Sequence, residues 1–117
     1  MTLQPKFLPV GSVVEYHLMN HNRWTPIRLN ATDILNLETD SKHFNTFHRP
    51  IKLTPEILTE WCNASNKLTE QYRIKDRLFV FRDGKCFDYG SNTQLDYLHE
   101  LQNLFLGMKQ VLTVTTK

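Results

Sequence analysis

Seven residues in the first half of the chain join aromatic faces to cationic heads: Tyr16, Arg23, Trp24, Arg28, Phe47, His48 and Arg49. A flat π face stacks a base and a guanidinium fork pairs with phosphate oxygens, so these types suit a nucleotide ligand. In that role Tyr16, Trp24 and Phe47 stack the base, while Arg23, Arg28 and Arg49 hold phosphate. The same residues also fit a core Trp and arginines on a solvated face, the commoner arrangement in a small protein. A second basic set, Arg73, Lys75, Arg77, Arg82 and Lys85, surrounds a hairpin pattern. On one strand, positions 73, 75 and 77 share a face and form a stripe for nucleic acid or an acidic protein. Asp76 and Asp83 interrupt it, and a charged edge that resists strand-to-strand aggregation is the commoner explanation.

Other chemistry finds little support. His17 and His21 lie four apart, but on an expected strand and turn rather than a helix, with His43 and His48 elsewhere. The pattern predicts no metal site and no cofactor. There is no Gly-x-Ser-x-Gly elbow, and four glycines leave no phosphate-cradling loop. Asp33, Glu38 and Asp88 are the carboxylates one would pair, yet twelve acidic residues make chance pairs inevitable. The chain is expected not to be an enzyme. His99, Gln102 and Asn103 offer mixed donors and acceptors to a ligand, but are expected to bond loop backbone and orient their helix.

Elements must position these groups, and 117 residues suffice to bury a core. Apolar residues at 40% and charged residues at 22% describe a globular protein, and a net charge of +2 does not by itself argue for nucleic acid. No run approaches the roughly 18 apolar residues of a membrane span, and the N-terminus lacks a secretory core, so a cytoplasmic location is expected. Cys62 and Cys86 then read as free thiols.

Residues 1–9 look like an extended lead-in to one domain over 10–117. Val10 to Met19 and Trp24 to Leu29 read as strands around a turn at Asn20-His21-Asn22-Arg23. Ala31 to Glu38 reads as a third short strand and His43 to Leu53 as extended. Thr54-Pro55-Glu56 starts a short helix burying Ile57, Leu58, Trp61 and Cys62. Residues 67–74 fit helix or strand.

Asp83-Gly84 suits a type I′ hairpin, pairing Phe81 with Cys86, Val80 with Phe87, Phe79 with Asp88 and Leu78 with Tyr89. Leu78, Val80, Phe87 and Tyr89 are then expected on the core face, with the C-terminal helix covering the opposite one. From Thr93 to Leu112 apolar residues recur every three and four positions, predicting that helix with Thr93 as cap and Asp96 in a capping box. The predicted class is α+β: a small curled antiparallel sheet or barrel, a short central helix and a C-terminal amphipathic helix.

Three segments carry a family resemblance: Gly11-Ser12-Val13-Val14-Glu15-Tyr16, Leu53-Thr54-Pro55-Glu56-Ile57-Leu58 and Tyr97-Leu98-His99-Glu100-Leu101-Gln102-Asn103-Leu104-Phe105. Over about residues 10 to 112 the chain resembles a family of short, uncharacterised phage and prophage proteins of Bacteroidota. Those proteins close on a His-x-Leu-Gln-Asn-Leu-aromatic helix. Leu106-Gly107-Met108 departs from the Ala-Leu-Thr-Gly tail common in the family. The resemblance implies a phage or mobile-element origin and transfers no activity.

The leading expectation is a non-enzymatic binding protein acting in the cytoplasm of an infected bacterium. It would sequester a nucleotide signal or block a host-defence protein, in a site formed between copies of the chain as a homo-oligomer. The runner-up is a nucleic-acid-binding accessory protein using residues 73–85. A third reading is a protein–protein adaptor presenting Phe79 and Phe81.

Overall fold

Asn30 and Asp33 determine the element after the first hairpin. The Asn30 side chain accepts from the Asp33 N–H, and the Asp33 carboxylate accepts from the Asn30 N–H, each at 2.9 Å. This reciprocal cap starts a helix, α1 (Ala31–Thr39), in place of the expected strand. Asp40 ends α1 and caps α2 (Ser41–Phe47), its Oδ1 accepting from the His43 N–H at 3.2 Å. The expected extended segment from His43 therefore begins only after α2.

The computed structural model describes residues 3–4, 8–18 and 22–116. Met19 at the end of the expected first strand and Asn20 and His21 of the expected turn lie outside the described residues, as do parts of the lead-in. β1 (Val13–Leu18) runs antiparallel to β2 (Arg23–Arg28) on one side and to the short β3 (His48–Arg49) on the other. Pro26 falls on the edge strand β2, where a missing N–H costs no ladder bond.

Next comes a five-stranded antiparallel meander: β4 (Ser65–Leu68), β5 (Gln71–Ile74), β6 (Arg77–Arg82), β7 (Lys85–Asp88) and β8 (Thr93–Leu95). Neither sheet closes into a barrel, and the fold is α+β. Asp83 and Gly84 both take positive φ, 53° and 76°, as a type I′ turn requires. The β6–β7 register is the expected one, from Phe81↔Cys86 to Phe79↔Asp88, with the Tyr89 N–H donating to Leu78 O.

The buried face of that hairpin is the reverse of expectation. Phe79, Phe81, Cys86 and Asp88 point inward, whereas Leu78, Val80 and Phe87 are half-buried and Tyr89 is 66% exposed. The C-terminal helix α3 (Leu98–Gly107) covers the inward face, its Phe105 ring 6.1 Å from that of Phe79. Thr93, expected to cap this helix, lies in β8. Glu100 supplies the carboxylate instead, accepting from the Asp96 and Tyr97 N–H groups at 2.9 Å. Beyond Gly107 the chain leaves the helix, and Leu112 and Val114 pack into the same core.

That core also takes Leu58 and Cys62 from the segment after Thr54, whose Oγ1 accepts from the Ile57 N–H as a cap. The segment winds as a single π-helical turn, Ile57–Trp61, and stops where Asn63 takes φ 60°. β1 lies between two cores. Val13 faces the main one, and Val14 faces a smaller one with Leu29, Leu37 and Phe44 that also buries Leu3 and Leu8.

Candidate functional site

Alternation along the meander sends one set of side chains to α3 and leaves the other on an open sheet face. Pairing places these outward residues in rows across the strands. Arg73 lies opposite Leu78, next to Tyr89; Gln71, Val80, Phe87 and Gln94 form the next row; Arg82 and Lys85 form a third. The Arg82 guanidinium lies 4.4 Å from the centre of the Phe87 ring, and its Nη2 donates to Asn92 Oδ1 at 2.8 Å. The guanidinium is therefore held over the Phe87 ring on an exposed part of the sheet. Beside it, Glu70, Gln71, Val80, Arg82, Tyr89 and Asn92 are among the residues that line a depression of about 380 Å³. Arg73, Arg82 and Lys85 flank two aromatic rings here. Such a surface stacks bases and attracts phosphates.

The other members of the expected 73–85 stripe do different work. Lys75 does not share a strand face with Arg73. With φ 55° it turns the chain from β5 to β6, and its Nζ reaches Val111 O at 3.4 Å. Arg77 pairs with the buried carboxylate of Asp88, to which Ser91 Oγ also donates at 2.6 Å. Burial acts to raise the Asp88 pKa, but the Ser91 and Arg77 hydrogen bonds and the Arg77 charge outweigh it and hold the carboxyl below its ordinary range. Two of the five basic residues thus secure the fold and three remain on the open face.

The seven aromatic and basic residues of the first half are not assembled into one site. Tyr16 pairs with His48 and Thr25, while Trp24 pairs with His17, so Tyr16 and Trp24 leave the sheet on opposite faces. On one face the Arg49 guanidinium sits 4.1 Å from the Trp24 ring centre and binds Glu15 at 3.0 Å. On the other, Tyr16, Phe47 and His48 line a cavity beside α1 and α2. Arg28 turns toward the C-terminal segment, its Nη2 donating to Val114 O at 2.6 Å. Arg23 is exposed at the end of β2, opposite Leu18. Among the described residues no arginine lines the Tyr16 cavity.

Of the three α3 polar residues, Gln102 bonds backbone outside the helix, as expected. Gln102 Oε1 accepts from the Val13 N–H at 2.8 Å and its Nε2 donates to Gly11 O at 3.1 Å. His99 is buried with Nδ1 unpartnered among the described residues, and burial pushes its pKa down to about 4. Cys62 and Cys86 are free and buried, and burial pushes both thiols up to about 12, far from a reactive thiolate. Phe79 and Phe81, the surface of the adaptor reading, are core residues. Among the described residues no three His, Cys, Asp or Glu side chains converge to hold a metal, and no helix is long and apolar enough to cross a membrane.

Sequence reasoning misses the open sheet face because it assigns these aromatic rings to the core. Asp88 carries the available signal: a carboxylate inward of Phe87 needs a paired cation, and Arg77 stands at the right distance along the hairpin. Compared with known protein families, curated proteins and solved structures, the chain matches none.

Proposed function

We propose that this is a non-enzymatic binding protein that holds single-stranded nucleic acid across the open face of its five-stranded sheet. The observation that carries the reading is the Arg82 guanidinium held over the Phe87 ring beside the exposed Tyr89, with Arg73 and Lys85 in flanking rows. Bases stack on the Tyr89 ring and the Arg82 plane, and the flanking cations follow the backbone. Sequence selectivity is expected to be low, because every base has a π face. The resemblance to phage proteins fits an accessory role inside an infected bacterium. Sequestration of a free nucleotide through Tyr16, Trp24 and the arginines is the weaker reading, since those rings occupy opposite faces of a sheet.

Fluorescence anisotropy with labelled oligo-dT and oligo-U, titrated over a range of salt, tests the proposal. The logarithm of the association constant should fall linearly with log salt, by about 0.7 per phosphate contacted. Replacing Arg82 and Lys85 together by alanine should reduce that slope by about 1 to 1.5. No binding at low salt, or affinity indifferent to salt, overturns it.

A further inference from the structure

The cavity beside α1 and α2 lies away from the open sheet face and has a different chemistry. Its volume is about 370 Å³, within the range of small-molecule sites, and among the described residues no Lys or Arg lines it. Tyr16, Phe44 and Phe47 supply aromatic walls, and the carboxylates of Asp33 and Asp40 lie at its border. Each carboxylate accepts one backbone N–H at a helix start, and among the described residues neither has a cationic partner.

Asn36 and His43 also line the cavity, and two further polar groups, His48 and Thr39, are turned to accept. His48 Nδ1 is 2.8 Å from Phe44 O. A carbonyl only accepts, so Nδ1 carries the proton and Nε2 is left with its lone pair. Burial lowers the His48 pKa and keeps the ring neutral, stacked 3.7 Å from Phe44. The Thr39 hydroxyl donates to Leu35 O, leaving its oxygen lone pairs as acceptors. Aromatic faces, acceptors and uncompensated carboxylates all favour positive charge. Among the described residues no three His, Cys, Asp or Glu side chains converge to hold a metal ion here.

We propose that this cavity binds a small organic cation, a protonated amine carried on an apolar or aromatic body. The ammonium is held by Asp33 and Asp40, and the body lies between Phe47 and the Tyr16–His48 pair, whose rings are 5.0 Å apart. Phenethylamine and its near-isosteric anion 3-phenylpropionate are the probes, read by two-dimensional NMR of the uniformly labelled full chain. Phenethylamine should give saturable shifts confined to Tyr16 and residues 30–49, and 3-phenylpropionate none. The Asp33→Asn, Asp40→Asn double variant should lose about tenfold or more in affinity, the effect of removing charge-assisted hydrogen bonds. Asparagine caps a helix as well as aspartate does at position 40, and at position 33 its Oδ1 can still accept from the Asn30 N–H, so this variant should keep the spectrum of the folded protein outside the site. Asn36→Arg, which places a tethered cation at the cavity wall, should also block binding. Equal shifts from the anion, shifts scattered over the surface, or none with the amine overturn the assignment.

Discussion

The Gln102 side chain closes a hydrogen bond of 2.8 Å with the backbone N–H of Val13, 89 residues away in sequence. Its amide nitrogen binds Gly11 O in the same grip, so one buried carboxamide fixes α3 against the first strand. Methionine at position 102 keeps the volume but leaves the buried Val13 N–H unmet and Gly11 O with only the 3.4 Å bond from Arg28. Gln102→Met is expected to destabilise the fold by about 2 kcal/mol. Urea unfolding should show a lower midpoint with an unchanged slope; an unchanged midpoint would mean that water replaces both bonds.

His99 gives the stability curve an acid limb. Its folded pKa, pushed down to about 4 by burial, lies below the ordinary 6.5 of the unfolded chain. The unfolded state therefore takes up the proton first. This contribution is fully present above about pH 6.5, falls as pH drops, and is exhausted below about pH 4, a loss of about 3 kcal/mol. His48 is shifted in the same direction by its burial, so the decisive measurement is a difference curve against His99→Phe. Thermal unfolding of the variant should be flatter over that window than the parent's, and parallel curves would refute the assignment.

Local decisions are legible in the sequence, and the choice between faces is not. Asp83-Gly84 specifies its hairpin register because few residue pairs accept two positive φ values, and Thr54-Pro55-Glu56 marks a helix start through groups that act within one turn. Which hairpin face α3 takes is not a local matter. Both faces are apolar, and Asp88 argues against the inward one unless Arg77 and Ser91 compensate its charge, as they do. Residues 31–38 mislead for the opposite reason: a decisive local signal, the Asn30–Asp33 box, is present but is masked by the short apolar run Ile34–Leu35. The aromatic–arginine set disperses because strand parity, set by the His17↔Trp24 pairing, sends Tyr16 and Trp24 apart.

Arg77 is expected to be structural rather than part of the basic surface. Asp88 is almost fully buried, and Oδ1 already lacks a partner among the described residues. Arg77→Met removes the compensating cation and should cost about 3 kcal/mol at neutral pH. The deficit should shrink in acid, because an Asp88 without Arg77 protonates at higher pH. Urea midpoints of parent and variant at neutral and mildly acid pH measure this. A deficit that does not depend on pH would assign the loss to packing against Met108, whose Sδ lies 3.3 Å from Arg77 Nη1.

Tyr89 separates stacking from charge on the open sheet. Its ring is 66% exposed, so Tyr89→Ala removes little buried area and should leave the unfolding temperature nearly unchanged. If a base stacks there, the same variant should lose about 1 to 3 kcal/mol of oligonucleotide affinity, while Tyr89→Phe keeps it. The salt dependence should be that of the parent, because no phosphate contact is lost. Arg82→Ala should do the reverse in part: it removes a cation and frees the Phe87 ring, lowering the salt slope by about 0.7. Anisotropy titrations of the three variants at several salt concentrations distinguish the roles. A Tyr89→Ala variant that binds as tightly as the parent would place the strand elsewhere, with Arg73 and Lys85 the next positions to change.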